Sequence, residues 1–470
     1  MKVNSVVCLG GLGVFGNFLA FVNGAAAHVP TYGAFDLQVR ANLCANEPQG
    51  FNLPCNVFFN SSTPSLNNSG KVAIKLDVIG SSQGVWFGGN QTGGIVYTSP
   101  SDAGVSDVWM NNLGYVVFPQ TFSAQNGIYF YDSVANTSGL RTTLPFGTTA
   151  WGSPAVNDAG QIGFRANFSG SGQAFYSYDG TPTLALHAAE AGLDPQSPYS
   201  FLFSPAFNNN RQIAAHVRLG AAGQTGNSQP DEIRVFNANG SSVLIARDAD
   251  AQPGSPYSAF DSTKPALDNN GRVAFIANLT AGGRGVFLSD GTTTITIATT
   301  STPGVSVVDS FGPSINDHGL VAFRGKDSNV PSRWAIFVGD GTTLRRVIGQ
   351  FDQLSTDLGM AQIAQHDSSI TFGGGISINA RGDIAFNCTL TPAGNNQIEW
   401  GSGVYIARAD VNPADVTHDG HVNVNDLLAV INQWGACPAL PQSCPADVAP
   451  PGGNGQVNVN DLLMVINNWG

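Results

Sequence analysis

The chain has 470 residues, 57 of them Gly and 26 Pro, and only 11% are charged. Its 20 basic and 32 acidic residues leave a net charge of −12, which excludes a basic nucleic-acid groove or a patch for anionic membranes. A coiled coil would need far more Glu, Lys and Arg, and 42% hydrophobic with 10% aromatic residues excludes disorder of the whole chain.

At the N-terminus, Met1-Lys2 supplies one positive charge and Val6 to Val22 is an apolar run. Gly24-Ala25-Ala26-Ala27 then places small residues before His28. This layout predicts a signal peptide over residues 1–27 and a secreted, extracellular or cell-surface protein. Val7 before Cys8 disfavours a lipoprotein anchor. Gly11-Leu12-Gly13-Val14-Phe15-Gly16 copies the dinucleotide fingerprint, but no strand–helix alternation follows it. No later apolar run is long enough for a transmembrane segment. Past the leader lie Cys44, Cys55, Cys388, Cys437 and Cys444, in a compartment that permits disulfides. Cys437 and Cys444 are close enough in sequence to pair.

Residues 28–408 are organised by one repeat. The fragment N-x-x-G-x-V-A-F recurs seven times, starting at Asn67, Asn111, Asn157, Asn208, Asp268, Asn316 and Asn379. In the fourth copy Arg211 replaces the glycine, and Asn210 before it tolerates a left-handed backbone. A spacing of about fifty residues is the size of a four-stranded antiparallel sheet with its turns. The first strand ends in the Asn, N-x-x-G is a tight turn, and the second strand is an apolar run such as Val273 to Ala277. A third strand carries an aromatic and runs into Asp179-Gly180, Asn239-Gly240, Asp290-Gly291 or Asp340-Gly341, which reads as a two-residue hairpin.

The second strand has two columns on opposite faces. Ala73, Val117, Gly163, Ala214, Ala274, Ala322 and Ala385 are mostly small. Ile74, Phe118, Phe164, Ala215, Phe275, Phe323 and Phe386 are mostly bulky. Sheets buried on both faces, large against small, predict an all-β propeller of about seven four-stranded antiparallel blades, with an open β-solenoid as the alternative. The last repeat has no room for a fourth strand, which Ala34 to Arg40 can supply to close the ring. A disulfide from Cys388 to Cys44 or Cys55 would staple that joint.

After a short linker at 409–414, residues 415–470 form a separate tail. Asp415, Thr417, Asp419, Asn423 and Asp426 place oxygen side chains at loop positions 1, 3, 5, 9 and 12, with Gly420 at position 6. That spacing suits Ca²⁺, with Asp415, Thr417, Asp419 and Asp426 as direct ligands, His421 giving its carbonyl and Asn423 binding directly or through water. Val422-Asn423-Val424-Asn425-Asp426-Leu427-Leu428 returns as Val457-Asn458-Val459-Asn460-Asp461-Leu462-Leu463. Leu427, Val430, Ile431 and Trp434 fall on one helical face, as do Leu462, Val465, Ile466 and Trp469. The second loop, Asp447 to Asp461, carries the insertion Pro450-Pro451-Gly452-Gly453. Its candidate ligands are Asp447, Asn454, the Gln456 carbonyl, Asn458 and Asp461.

These duplicated loops, each followed by one helix and lacking an entering helix, resemble a type I dockerin domain. The cysteines resemble the variant with a Trp-Gly-x-Cys segment. The resemblance implies a small α-helical, calcium-binding module that binds a cohesin-like partner or surface anchor through Val424-Asn425 and Val459-Asn460. Identical residues there imply two binding orientations. The tandem repeat itself is similar to bacterial extracellular repeat proteins of no settled activity.

No catalytic constellation emerges. Gly80-Ser81-Ser82-Gln83-Gly84 lacks the helix of a nucleophile elbow. His187, His216, His318 and His366 show no paired metal spacing, and Glu232 and Glu399 are not identifiable as a glycosidase pair. The Asp-Gly turns lack the spacing of sialidase propellers. Two functions are compatible with this pattern. One is a non-catalytic propeller displaying loops for a glycan or protein and docked by its tail. The other is a carbohydrate-active enzyme, a glycosyl hydrolase or lyase, delivered by that tail to a polysaccharide-degrading assembly.

Overall fold

The computed structural model describes residues 28–41, 53, 57–59, 61–78, 82–89, 91–121, 126–142, 148–170, 172–366, 370–417, 421–438, 444–450 and 453–470. Seven antiparallel sheets follow one another and form a seven-bladed propeller, with two short helices in the tail. Blade 5 shows the pattern: Tyr257–Phe260 and Ala266–Leu267 both pair with Val273–Leu279, which pairs with Arg284–Ser289 and then Thr294–Thr299. The first strand is thus broken by a bulged segment, here 261–265, and the same break occurs in blades 1, 2, 4 and 6. These first strands touch one another in succession around the ring and line its axis.

The repeated Asn explains itself in the turn. Its Oδ1 accepts the backbone N–H groups two and four residues on, as Asn111 does from Leu113 and Tyr115 at 3.0 and 2.9 Å. Gly70, Gly114, Gly160, Gly271, Gly319 and Gly382 all take positive φ there. In blade 4 Arg211 itself, rather than Asn210, takes the left-handed conformation, at φ +58. The Asp-Gly hairpins also differ from expectation. Four residues, 290–293, separate the strands, and the Asp290 carboxylate accepts the N–H groups of Thr292 and Thr293, so Asp acts as a turn cap.

Blades interlock as the two columns require. Ala73 packs in one cluster with Phe118, Val117 with Phe164, Ala214 with Phe275, Ala274 with Phe323 and Ala322 with Phe386. Ala385 of blade 7 packs in one cluster with Ile74 of blade 1 and so closes the circle. Gly163 is small for a stated reason: a Cβ there would collide with the Phe207 ring of blade 4. Strand β1 (Thr31–Arg40) pairs antiparallel with Ser402–Asp410, from Thr31↔Asp410 to Arg40↔Gly403, and serves as the outer strand of blade 7. The expected Cys388 staple is absent: Cys388 is a free, fully buried thiol in the blade 7 core, where Phe386 and Leu390 pack with it. Cys44 and Cys55 lie outside the described residues.

Candidate metal centre, docking face and axial cluster

The tail has its own small core, built on Val416, Val422, Val430, Val457 and Val465. Helices α1 (Val424–Asn432) and α2 (Val459–Asn467) start alike. Asn423 and Asn458 cap them, and Asp426 and Asp461 complete capping boxes. Cys437 and Cys444 form a disulfide between the two halves. Cys437, Cys444 and Asp447 lie close together, but disulfide sulfurs have no thiolate to offer a metal.

In the first loop Asp426 is wholly buried. Its Oδ1 accepts from the Thr417 N–H and hydroxyl at 2.8 and 2.9 Å, and its Oδ2 from the Asn423 N–H at 2.8 Å. Asp415 is also buried, Asn423 caps the helix, and its amide lies 3.5 Å from the His421 carbonyl. Asp419 and Gly420 lie outside the described residues. In the second loop Asp461 is equally buried and accepts from Val448, Ala449 and Asn458 N–H groups. Among the described residues no cationic side chain pairs with Asp426 or Asp461. A buried carboxylate without such a partner is costly unless an ion or further donors compensate it. The donors are all oxygen, which fits Ca²⁺. The second loop fits less well, because its insertion turns Asp447 onto its own loop amides, Asn454 and Gly455. The Asn454 side chain is likewise engaged, with Ala449 and Gln456.

The helices bury a narrower stripe than their sequence pattern predicts. Val430 and Val465 are buried and Leu427 and Leu462 partly so, whereas Ile431, Trp434, Ile466 and Trp469 are half exposed. They continue a second apolar stripe with Val424 and Val459, each 53% exposed, and with Leu428 and Leu463. Val424, Asn425, Val459 and Asn460 therefore stand at the starts of two matching exposed faces, set apart by Asn425 and Asn460. The tail approaches the propeller at blades 6 and 7. There Asp415, Val422 and Gly470 face His318, Ala380 and Arg381 across a cleft of 270 Å³.

The residues weighed for catalysis fall into structural roles. Glu232 is buried in blade 4 under Arg234 and Arg247, at 2.5 and 2.8 Å, whereas Glu399 pairs with His366 in blade 7 at 3.6 Å. The two carboxylates are on different blades. Ser82 opens the strand Ser82–Gly89, with no helix after it. His187 Nε2 lies 2.9 Å from the Ser177 hydroxyl and Nδ1 3.4 Å from the Phe236 carbonyl, and burial pushes its pKa down to about 4. His216 stacks on Phe203 with centroids 3.8 Å apart and lies 3.1 Å from Asp231, which Arg218 grips with two bonds.

A cluster that sequence reasoning missed lies where the inner strands bulge toward the axis. Lys264, in the bulge of blade 5, places its ammonium 3.8 Å from the centre of the Trp109 ring of blade 2. Asp107 of blade 2 lies near that ammonium and accepts from Ser153 of blade 3 at 3.0 Å. Ser153 is buried and holds φ +46, a conformation that costs a non-glycine residue about 1 kcal/mol or more. Gly312 of blade 6 lies against the Lys264 carbonyl, where a Cβ would collide. Lys264 is partly buried. Burial pushes its pKa down to about 8, against the opposing pull of Asp107. The Trp109 face favours the ammonium by about 1–2 kcal/mol and counters part of that fall. No motif marks Lys264 in the sequence, because its partners come from distant blades.

The model of a family of unknown function, DUF7453, matches residues 88–312 and 231–424, together well over half of the chain. The chain belongs to this family. Its two overlapping matches fall on the tandem blades and reach only the start of α1; no dockerin family model matches the tail. No curated protein matches the sequence. Among solved structures the chain is similar to the polysaccharide lyase Uly1, at 10% identity and TM-score 0.47, covering 81% of this chain and 100% of that one. It is similar to TolB from Acinetobacter baumannii at 14% identity and TM-score 0.39, over 60% of this chain and 64% of TolB. A fungal alcohol oxidase of the AA5 family gives 10% identity and TM-score 0.40, over 81% and 76%. None of these likenesses bears on what DUF7453 propellers bind or do.

Proposed function

We propose that this DUF7453 protein is a secreted, non-catalytic scaffold. Its propeller loops display a site for a glycan or protein, and its dockerin-like tail, loaded with Ca²⁺, docks it to a cohesin-type module. The observation that carries this reading is the pair of buried carboxylates, Asp426 and Asp461, which no cationic side chain of the described residues pairs with, each at the start of a helix with an exposed apolar face. Asp415, Thr417, the His421 carbonyl, Asn423 and Asp426, with Asp419, would hold the first ion. Asp447, Asn454, the Gln456 carbonyl, Asn458 and Asp461 would hold a second, weaker one. Bound Ca²⁺ would supply positive charge to these carboxylates. Filling the loops fixes the helix starts, and with them Val424, Asn425, Val459 and Asn460.

Binding of the full chain to an immobilised type I cohesin module tests the docking. The reading expects capture in millimolar Ca²⁺ and release by EGTA; capture indifferent to EGTA, or none, contradicts it. Release of reducing sugar or unsaturated product from plant or algal polysaccharides would favour a carbohydrate-active enzyme instead.

A further inference from the structure

We propose that a cleft at one end of blade 6, beside the loop 328–333, binds one neutral pyranose unit of a glycan; the inference rests on the display reading above and gives it a place. Pro303 and Gly304, in the connection from blade 5, line the cleft with Asp327, Asn329, Leu344 and Arg346 of blade 6, around a volume of 270 Å³. Pockets for drug-sized ligands run from about 300 to 1,000 Å³, so this one suits a single small ring. Blade 5 lacks these polar groups. At its matching positions Leu279 stands for Asp327 and Thr296 for Arg346.

The polar groups are held in place before any ligand arrives. Buried Asp327 accepts the backbone N–H groups of Asn329 and Arg333 at 3.2 and 2.9 Å and the Asn329 amide at 2.7 Å. It also lies 3.5 Å from Arg346 Nε. Asp352, fixed by the Gly349 N–H at 2.8 Å, takes two bonds from Arg346 at 2.7 and 3.1 Å. A guanidinium has five N–H groups, so Arg346 keeps donors for a ligand. Among the described residues nothing donates to Asn329 Oδ1, which is left to accept. A planar donor beside a planar acceptor suits adjacent sugar hydroxyls, each of which both donates and accepts. Pro303 and Leu344 offer an apolar wall to the C–H face of the ring. Charge then selects among sugars. Two carboxylates flank the one guanidinium, so the cleft disfavours an acidic sugar.

Saturation-transfer NMR on the full chain tests the site with the methyl pyranosides of glucose, galactose and mannose and with galacturonate. EGTA in the buffer keeps Ca²⁺ at the tail out of the measurement. At least one neutral glycoside is expected to bind at about millimolar strength, as a small ligand in an open cleft allows, and galacturonate more weakly. Arg346→Thr, which copies blade 5, should weaken binding about tenfold, the loss expected for charge-assisted hydrogen bonds, and Asn329→Ala should weaken it severalfold. Arg345→Thr, on the other face of the same strand, should leave binding unchanged. All three variants should melt near the parent. Binding that survives both Arg346→Thr and Asn329→Ala overturns this site while leaving glycan display in place. No binding of any neutral glycoside, or galacturonate bound more tightly than they are, overturns it as well. Cohesin capture, measured separately, is untouched by either result.

Discussion

His187 is the residue at which burial alone sets a measurable property. It is neutral in the fold, with a pKa near 4, whereas an unfolded chain protonates it near 6.5. Between pH 6.5 and 4 the unfolded state therefore binds more protons, and stability falls as pH falls. The full effect is on the order of 3 kcal/mol. Thermal melts of the wild type should lose stability across that window, and His187→Gln, which does not titrate, should lose less. Parallel curves would show that His187 does not carry the dependence. Cys388 gives a second lesson at this scale. Burial raises its thiol pKa strongly, and its place in the blade 7 core makes it packing rather than a redox group.

Among the elements, the N-x-x-G turn does more than reverse the chain. Asn111, Asn157 and Asn208 each donate Nδ2–H to the carbonyl of the matching residue in the next blade, at 2.9, 3.3 and 2.9 Å. Asn316 and Asn379 continue the series to Asn379 and Asn67 at 3.2 and 3.3 Å. The side chain of Asp268 has no N–H to give. Arg272 takes over, binding Asp268 at 2.6 Å and the Asp317 carbonyl of blade 6 at 2.8 Å. A second tier runs one residue on. The backbone N–H of Asn68, Asn112, Asp158, Asn209 and Asn269 each donates to the side chain of its counterpart in the next blade. Ala380 donates to Asn68 but has no side-chain oxygen to accept with. Asn157→Asp should therefore cost about 1–3 kcal/mol, by removing a buried donor and adding a charge. Gln161→Arg in that background copies Asp268–Arg272 and should recover most of the loss in a double-mutant cycle by chemical denaturation. Additive losses would mean that the Arg272 bridge contributes nothing.

The tail helices show the same division between packing and surface. Leu428→Asp and Leu463→Asp sit on the exposed stripes and should change tail stability by less than about 0.5 kcal/mol. Val430→Asp buries a charge in the tail core and should unfold it. The melting of the three variants, read by circular dichroism, distinguishes an outer face kept for a partner from one needed for folding. Much of this was legible in the sequence. The Asn-to-Asn spacing and the small and large columns of the second strand predict seven blades and their interlocking, because each is local to one repeat. The inter-blade donors, the bulged first strands and the meeting of Lys264 with Trp109 were not legible, because they exist only once the ring has closed. The exposure of Ile431 and Trp434 escaped for a related reason. A heptad-like pattern says which residues are apolar but not how wide a stripe the partner element covers.

At the scale of the molecule, a ring of seven interlocked sheets buries both faces of most blades, which accounts for the scarcity of charge. The remaining acidic excess has a place. Asp415, Asp426, Asp447 and Asp461 gather in a tail of two helices, two of them wholly buried with no cationic side chain of the described residues paired to them. The account stands on that charge being met by Ca²⁺. Calorimetric titration of Ca²⁺ into the EGTA-stripped full chain tests it most directly. Binding at the first loop, lost in Asp426→Ala, with a weaker event lost in Asp461→Ala and a tail melting transition raised by the ion, is the predicted result. No binding heat, with far-UV circular dichroism and melting identical in Ca²⁺ and EGTA, would contradict it.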